Sequence, residues 1–338
     1  DFRLRDTYRR FSRFIVWRIR YFYNISQKMN VLFLAQFYSP HIGGVERHVE
    51  GIGRELVTRG HKLTVITEKY DEGLKDRETI DKIDVIRFSY PKIKFLGLLY
   101  IWIWLYRNRD LIKRSDIVHC HDVFIWYLPF RFLFPKKPVY TTFHGWEGVY
   151  PIPSKNIFLK RLGAKLSWGN ICVGGYIEKY YGIKANFVTY GAVDTSLIYS
   201  GEVKDNRSFV YLGRLEEDTG ISLFLKWLDK NKNYQVDFCG DGALRKECEK
   251  YGKVHGFVDP KPFLEKAEYC VPGGYLSALE AMAAKCKIKV FWDNPLKKDY
   301  WQMTPFYHWT KTKNTEESYE WANTQSWRSL ASAYLKLW

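Results

Sequence analysis

NVLFLAQFYSPHIGGVERHVEGIGRELVTRGHKLTVIT, residues 30–67, decides the fold. NVLFLAQ is continuously apolar at its start and reads as a buried strand. FYSPHIGG is a loop, and VERHVEGIGRELVTRG places Val45, His48, Val49, Ile52 and Leu56 on one face of a helix. Gly60 stops that helix and KLTVIT begins the next strand. The pattern then repeats through IDVIRF (83–88), DIVHC (116–120), VYTTFH (139–144), NICV (170–173) and NFVTY (186–190). Apolar strands alternating with helices predict an α/β fold, a parallel sheet covered on both faces.

A polar break, SGEVKDNRS (200–208), separates a second series: SFVYLG (208–213), YQVDFCG (234–240), KVHGF (253–257), YCV (269–271) and KIKVF (287–291). Two doubly wound, Rossmann-like units in succession predict two domains facing a cleft, spanning 29–199 and 200–324. SWRSLASAYLKLW (326–338) has helical apolar spacing and is expected to cross back onto the first domain.

The 338 residues carry 53 basic against 37 acidic side chains, a net +16, which favours an anionic partner. No nucleic-acid recognition module is found, which leaves an anionic membrane surface or a phosphorylated small molecule. Aromatic residues reach 18%, suiting a membrane interface or a sugar-binding surface. The six cysteines are scattered without a CxxC pair, so they read as reduced and structural in a cytoplasmic protein. HCHD (119–122) has the composition of a metal site, but an extended segment turns successive side chains to opposite faces, and no metal is expected. FLGLLYIWIWLY (95–106) is too short to span a bilayer, and VFIWYLPFRFLF (123–134) is broken by Pro129 and Arg131. Each either lies on a membrane or forms core. The first 28 residues, with seven arginines and one lysine, are either an interfacial amphipathic helix, a helix packed on the next domain, or sequence upstream of a start at Met29.

NVLFLAQFYSPHIGGVERHV, DIVHCHD, FHGWEG, VTYGAVD, YLGRL, CGDG and SALEAMA follow in the order seen in retaining GT-B glycosyltransferases of family 4, which the chain resembles from Met29 to Trp338. The resemblance implies two Rossmann-like domains and transfer of a sugar from a nucleotide-diphosphate donor to a hydroxyl, with the anomeric configuration retained. No cofactor or bound metal is implied beyond the donor itself. It places Gly43 and Gly44 near the donor diphosphate, where missing side chains let backbone N–H groups approach a phosphate. Arg214 would clamp that diphosphate. His144 would contact the donor sugar near the reacting carbon, with Trp146 and Glu147 as weaker candidates for sugar stacking and acceptor orientation. Glu280 would accept hydrogen bonds from the ribose diol. Tyr190, Gly240 and Gly242 fall at positions near the nucleotide in relatives, while Asp122 reads as structural.

Two positions depart from the family pattern. A lysine usual five residues after Arg214 is Thr219, and a glutamate usual eight residues before Glu280 is Pro272. Gly273, Gly274 and Tyr275 are the expected substitutes for that glutamate. These departures motivate an alternative, a non-catalytic nucleotide-sugar-binding scaffold. A nicotinamide-dependent oxidoreductase is weaker still, because GGVERH is not GxGxxG. NPLKKDYWQMTPF (294–306) either lines the donor site through Lys297 and Lys298 or is a surface loop. The expected acceptor is lipid-linked or a glycan precursor, met at the inner face of the cell membrane on anionic lipid.

Overall fold

The computed structural model describes residues 28–93, 95–145, 148–194, 204–312 and 314–338. The arginine-rich stretch 1–27, and the candidates Trp146 and Glu147, lie outside the described residues.

The first sheet holds β1 (Asn30–Ala35), β2 (Lys62–Glu68), β3 (Arg77–Ile80), β4 (Ile83–Phe88), β5 (Ile117–His121), β6 (Val139–Phe143), β7 (Gly169–Val173) and β8 (Phe187–Thr189). Their order is β3-β4-β2-β1-β5-β6-β7-β8, parallel except for the antiparallel β3–β4 pair. β3 escaped the sequence reading because RETI is a polar, half-exposed edge without the apolar run of a buried strand. The second sheet holds β9 (Asp205–Leu212), β10 (Gln235–Cys239), β11 (Lys253–Gly256), β12 (Ala267–Pro272) and β13 (Lys287–Ile288), in the order β11-β10-β9-β12-β13. All its pairings are parallel. In each sheet the strand order reverses beside a central strand, between β1 and β5 and between β9 and β12. Ligands in open α/β sheets bind beyond the carboxyl ends of the strands at such points.

Helix α1 (Gly44–Thr58) buries Val49, Ile52 and Leu56 against β1 and β2. Helices α2 (Leu96–Arg107) and α3 (Phe124–Leu133) pack together, with the Trp102 indole donating to the Ile125 carbonyl at 2.9 Å. On the second domain, α4 (Tyr275–Ala283) buries Ala278, Leu279, Ala281, Met282 and Ala283. Helix α5 (Pro295–Gln302) starts on an Asn294 cap, whose side-chain oxygen accepts from Lys297 N–H at 2.8 Å. Helix α6 (Thr315–Thr324) packs on α4, and the chain then returns to the first domain as α7 (Trp327–Leu337), against α1. Gly51 of α1 permits that approach, since a Cβ there would lie 2.4 Å from the Trp327 ring. Leu330, Tyr334 and Leu335 of α7 are buried in the same core, and burial stabilises by about 1.5–3 kcal/mol for a large apolar side chain.

The two apolar stretches, read as core or membrane surface, each hold buried and exposed side chains. Ile101 and Leu105 of α2 are buried, whereas Leu96, Leu99, Tyr100, Ile103 and Tyr106 form a stripe between 42% and 54% exposed. Phe132, at the end of α3, is also exposed. No helix among the described residues is long and apolar enough to cross a membrane. All six cysteines are buried and unpaired by disulfides.

Candidate functional site

The carboxyl ends of both sheets open on one cavity of about 570 Å³ between the domains. The first domain contributes the α1 amino end (Gly43 to His48), His144 and Gly145 after β6, and Tyr190 and Gly191 after β8. The second contributes Gly213 and Arg214 after β9, Asp218 and Thr219, the turn Gly273–Ser277, and Lys297 and Tyr300 of α5. Of the residues singled out in the sequence, Gly43, Gly44, His144, Tyr190, Arg214, Thr219, Gly273, Gly274 and Tyr275 are thus gathered around one space. Glu280, Gly240 and Gly242 are not among those lining it.

Close packing of chain explains the last two. A Cβ on Gly240 would sit 1.8 Å from the Gly213 carbonyl oxygen, and one on Gly242 would sit 2.5 Å from that of Leu215. These glycines let neighbouring strand ends meet. Gly43 and Gly44 differ from each other in the same respect. A Cβ on Gly43 would meet the Glu46 carboxylate, which is paired with His41 at 2.8 Å, whereas one on Gly44 would meet nothing within 4 Å. Backbone at Gly44 is therefore open to an approaching group.

The first domain's side of the cavity is built on histidines. His144 and His121 share a hydrogen bond of 3.0 Å between Nε2 and Nδ1, and the His48 ring stands edge-on to His144 at 4.7 Å. The His144 backbone N–H donates to Asp122 Oδ2 at 3.1 Å, so Asp122 holds the strand end in place. Behind them a directed chain runs from the carboxyl terminus. The Trp338 indole can only donate, and it reaches His119 Nδ1 at 3.1 Å. Neutral His119 then carries its proton on Nε2, 2.7 Å from Thr142 Oγ1, which lies 2.8 Å from the Tyr334 hydroxyl; that hydroxyl is 2.9 Å from His48 Nε2. Burial pushes His48 and His119 down to about 3 and holds His121 and His144 well below the usual imidazole range. All four rings are neutral near pH 7.

The second domain's side is charged. Arg214 pairs with Asp218 at 2.8 Å, not with Glu216 or Glu217 as its sequence neighbourhood allowed. The Thr219 hydroxyl is already engaged, 2.6 Å from the Glu216 carbonyl and 2.7 Å from the Tyr211 hydroxyl. Gly273 N–H donates to the Leu212 carbonyl, Gly274 N–H to Ser277 Oγ and Tyr275 N–H to the Tyr300 hydroxyl, so these three donors have partners within the protein. The Tyr275 ring stacks on Tyr300 at 4.0 Å. The Tyr190 hydroxyl donates to the Met303 carbonyl at 3.0 Å.

Glu280 is buried beneath this turn. Its Oε1 is held across the cleft by Arg47 of α1, while its Oε2 is buried without a hydrogen-bond partner among the described residues. Arg47 and Asp218 are cavity residues that the sequence reading did not single out. Arg47 falls outside the apolar face of its helix, and a pattern of buried faces gives no reason to expect it to reach a second domain. Lys297, one of two lysines left open between donor site and surface, lines the cavity, while Lys298 is exposed. Among the described residues no group of three or more His, Cys, Asp or Glu side chains is placed to hold a metal ion.

Residues 42–196 match the Glycosyltransferase Family 4 model, a span running from the cavity's α1 rim past Tyr190. Over that span the chain is similar to the family 4 glycosyltransferases. It is 23% identical over 325 residues to an uncharacterized glycosyltransferase of Methanocaldococcus jannaschii, covering 78% of this chain and 80% of that one. It is 24% identical over 262 residues to a phosphatidylinositol N-acetylglucosaminyltransferase component of Arabidopsis thaliana, covering 69% of this chain and 56% of the plant protein. Among solved structures, sucrose-phosphate synthase of Thermosynechococcus elongatus superposes with a TM-score of 0.69 at 15% identity, covering 91% of this chain and 97% of that one. HepE of Anabaena, in complex with UDP and glucose, gives 0.60 at 14% identity, covering 91% and 96%. The fold of this chain is therefore GT-B.

Proposed function

We propose that this protein is a glycosyltransferase that binds a nucleotide-diphosphate sugar in the interdomain cavity and transfers the sugar, with retention, to a hydroxyl of a lipid-linked or glycan-precursor acceptor. The observation carrying this reading is that a cationic face and a neutral histidine face meet across one cavity at the carboxyl ends of both sheets. Arg214 offers a planar fork of donors for the diphosphate. Oε2 of Glu280, buried behind the cavity lining without a partner among the described residues, would accept from a ribose hydroxyl once the turn above it moves aside, while Arg47 keeps Oε1. Leaving such an oxygen unpaired costs about 1–3 kcal/mol, which a ligand O–H would recover.

In the reaction, the C1–O bond to the diphosphate breaks and a C1–O bond to the acceptor forms on the same face. The acceptor proton passes to the departing phosphate oxygen. His144, neutral and oriented by His121, positions the sugar, and Arg214 stabilises the charge that develops on the leaving group. This route needs no cofactor or bound metal.

The exposed stripe of α2 supports a membrane-presented acceptor. Leu96, Leu99, Tyr100, Ile103 and Tyr106 lie between the exposed cations Lys92 and Arg107, an arrangement suited to shallow insertion among anionic lipids. The plant relative is named for transfer to phosphatidylinositol, which agrees with that acceptor class. The test supplies radiolabelled UDP-, GDP- and ADP-sugars with a membrane lipid extract, then reads the anomeric configuration of any product by NMR. Label entering the lipid phase with the donor's configuration supports the proposal; inverted product, or transfer only to water-soluble glycans, overturns the corresponding part. Ile103→Asp should weaken sedimentation with phosphatidylglycerol vesicles several-fold and leave nucleotide affinity unchanged.

The scaffold reading draws on one observation, that the Thr219 hydroxyl and the Gly273, Gly274 and Tyr275 N–H groups are all internally engaged. Donor binding without turnover in the presence of acceptor lipid would favour it.

A further inference from the structure

We propose that Lys297 of α5 supplies the donor diphosphate with a second fixed cation beside Arg214, replacing from another element the charge absent at Thr219. The inference rests on the nucleotide-sugar reading and deepens it.

The position of this lysine is unfavourable without a ligand. Lys297 is only 4% exposed, yet it lines the cavity. Among the described residues its ammonium makes no ion pair; its nearest compensation is the Tyr300 ring at 4.4 Å, with Trp301 at 5.8 Å. It falls in the first turn of α5, two residues after Pro295, where the positive end of the helix dipole disfavours a cation. Burial pushes the ammonium down to about 8, Arg214 adds to that shift, and Asp218 and Asp293 oppose it. A long side chain whose charge is desolvated, set against a helix amino end and placed within the influence of an arginine is costly to keep. An anion between Arg214 and Lys297 would offset all three costs. Lys298, its exposed neighbour, has none of these features. A diphosphate fits better than a single phosphate because two separate cations are available, one after β9 and one on α5.

The cation–π contact alone is the competing account, in which Lys297 is a structural residue stacked on Tyr300. Calorimetric titration of the full chain separates the two, using UDP, GDP and ADP and their monophosphates against wild type, Lys297→Met and Lys297→Arg. For the diphosphate that wild type binds best, Lys297→Met should lose about 10- to 100-fold in affinity, the size of a charge-assisted hydrogen bond or two. The matching monophosphate should lose little, and Lys297→Arg should recover part of the deficit. Without ligand, Lys297→Met should melt at or above the wild-type temperature, because an unpaired buried charge has been replaced by an apolar chain of similar length. Unchanged diphosphate affinity, or an equal loss on mono- and diphosphate, overturns the role of Lys297 while leaving the donor reading standing. Should wild type bind none of the three diphosphates, the donor reading falls and takes this inference with it. If Lys297→Met melts well below wild type, the comparison moves to Lys297→Gln, and a full diphosphate affinity there overturns the inference equally.

Discussion

The two walls of the cavity handle charge in opposite ways. The first domain presents His48 and His144, with His121 behind His144, all kept neutral by burial, and His48 is linked behind the wall through Tyr334, Thr142 and His119 to Trp338. The second presents Arg214 and Lys297, cations kept although, among the described residues, only Asp218 pairs with the first and no carboxylate pairs with the second. A neutral, hydrogen-bonded wall suits hydroxyl groups that must be oriented without being ionised. A cationic wall suits an anion that gains charge as it leaves. On the proposed reaction, one domain would position the sugar and the other would take up the charge of the leaving group.

The largest effect that would break this division is on turnover. Arg214→Ala should lower kcat/KM by about 10²–10³-fold, as loss of a donor to a developing anion does, and should weaken nucleoside-diphosphate binding as well. His144→Ala should lower turnover while leaving nucleoside-diphosphate affinity close to wild type. Equal losses of diphosphate affinity in both variants, measured by titration, would mean the walls do not divide the work.

A smaller effect separates packing glycines from glycines open to ligand. Gly240→Ala forces a methyl group to within 1.8 Å of the Gly213 carbonyl oxygen, so thermal unfolding should show a loss of about 3 kcal/mol, as in a strongly overpacked site. Gly44→Ala meets nothing within 4 Å. It should fold with stability near wild type and weaken donor binding if phosphate approaches that backbone. A stable Gly240→Ala would contradict the packing role.

The smallest effects are in pH dependence. His48 and His119 have folded-state values of about 3, below their unfolded value. The unfolded chain therefore binds more protons between about 3 and the ordinary imidazole value of about 6.5, and stability should fall as pH drops through that window. Lys297 acts at the other end. Its folded value of about 8 is also depressed, so the ligand-free protein should gain stability as pH rises from about 8 toward the usual lysine value of about 10.4. Diphosphate affinity should decline over the same rise, as the free ammonium is lost. Melting curves and titrations between pH 5 and 10 would show both trends, and His48→Gln should flatten the acidic limb.

Much of the architecture was legible in the chain because burial on both faces of a parallel sheet writes long apolar runs, as in NVLFLAQ and VYTTFH. The edge strand RETI carried no such signal, and it was missed. Along α2 the apolar run concealed two destinations, since Ile101 is core and Ile103 is surface, and composition does not separate them. Candidate residues next to strand ends, such as His144 and Arg214, were readable because the fold brings carboxyl ends of strands together. Contacts made across domains were not. Nothing in VERHVEG announces that Arg47 reaches Glu280, and nothing in NPLKKDY distinguishes Lys297 from Lys298. Gly240 resembled a ligand-binding turn because close approach to backbone and close approach to phosphate demand the same missing side chain.

Thermal unfolding of wild type and Arg214→Ala across a panel of UDP-, GDP- and ADP-sugars tests the central claim most directly. A ligand that binds only the native state raises the melting temperature by mass action. The account predicts that one nucleotide family stabilises wild type and that Arg214→Ala, folded and equally stable alone, loses that shift. A panel that stabilises neither protein, or that stabilises both equally, would contradict a donor diphosphate held on the cationic wall.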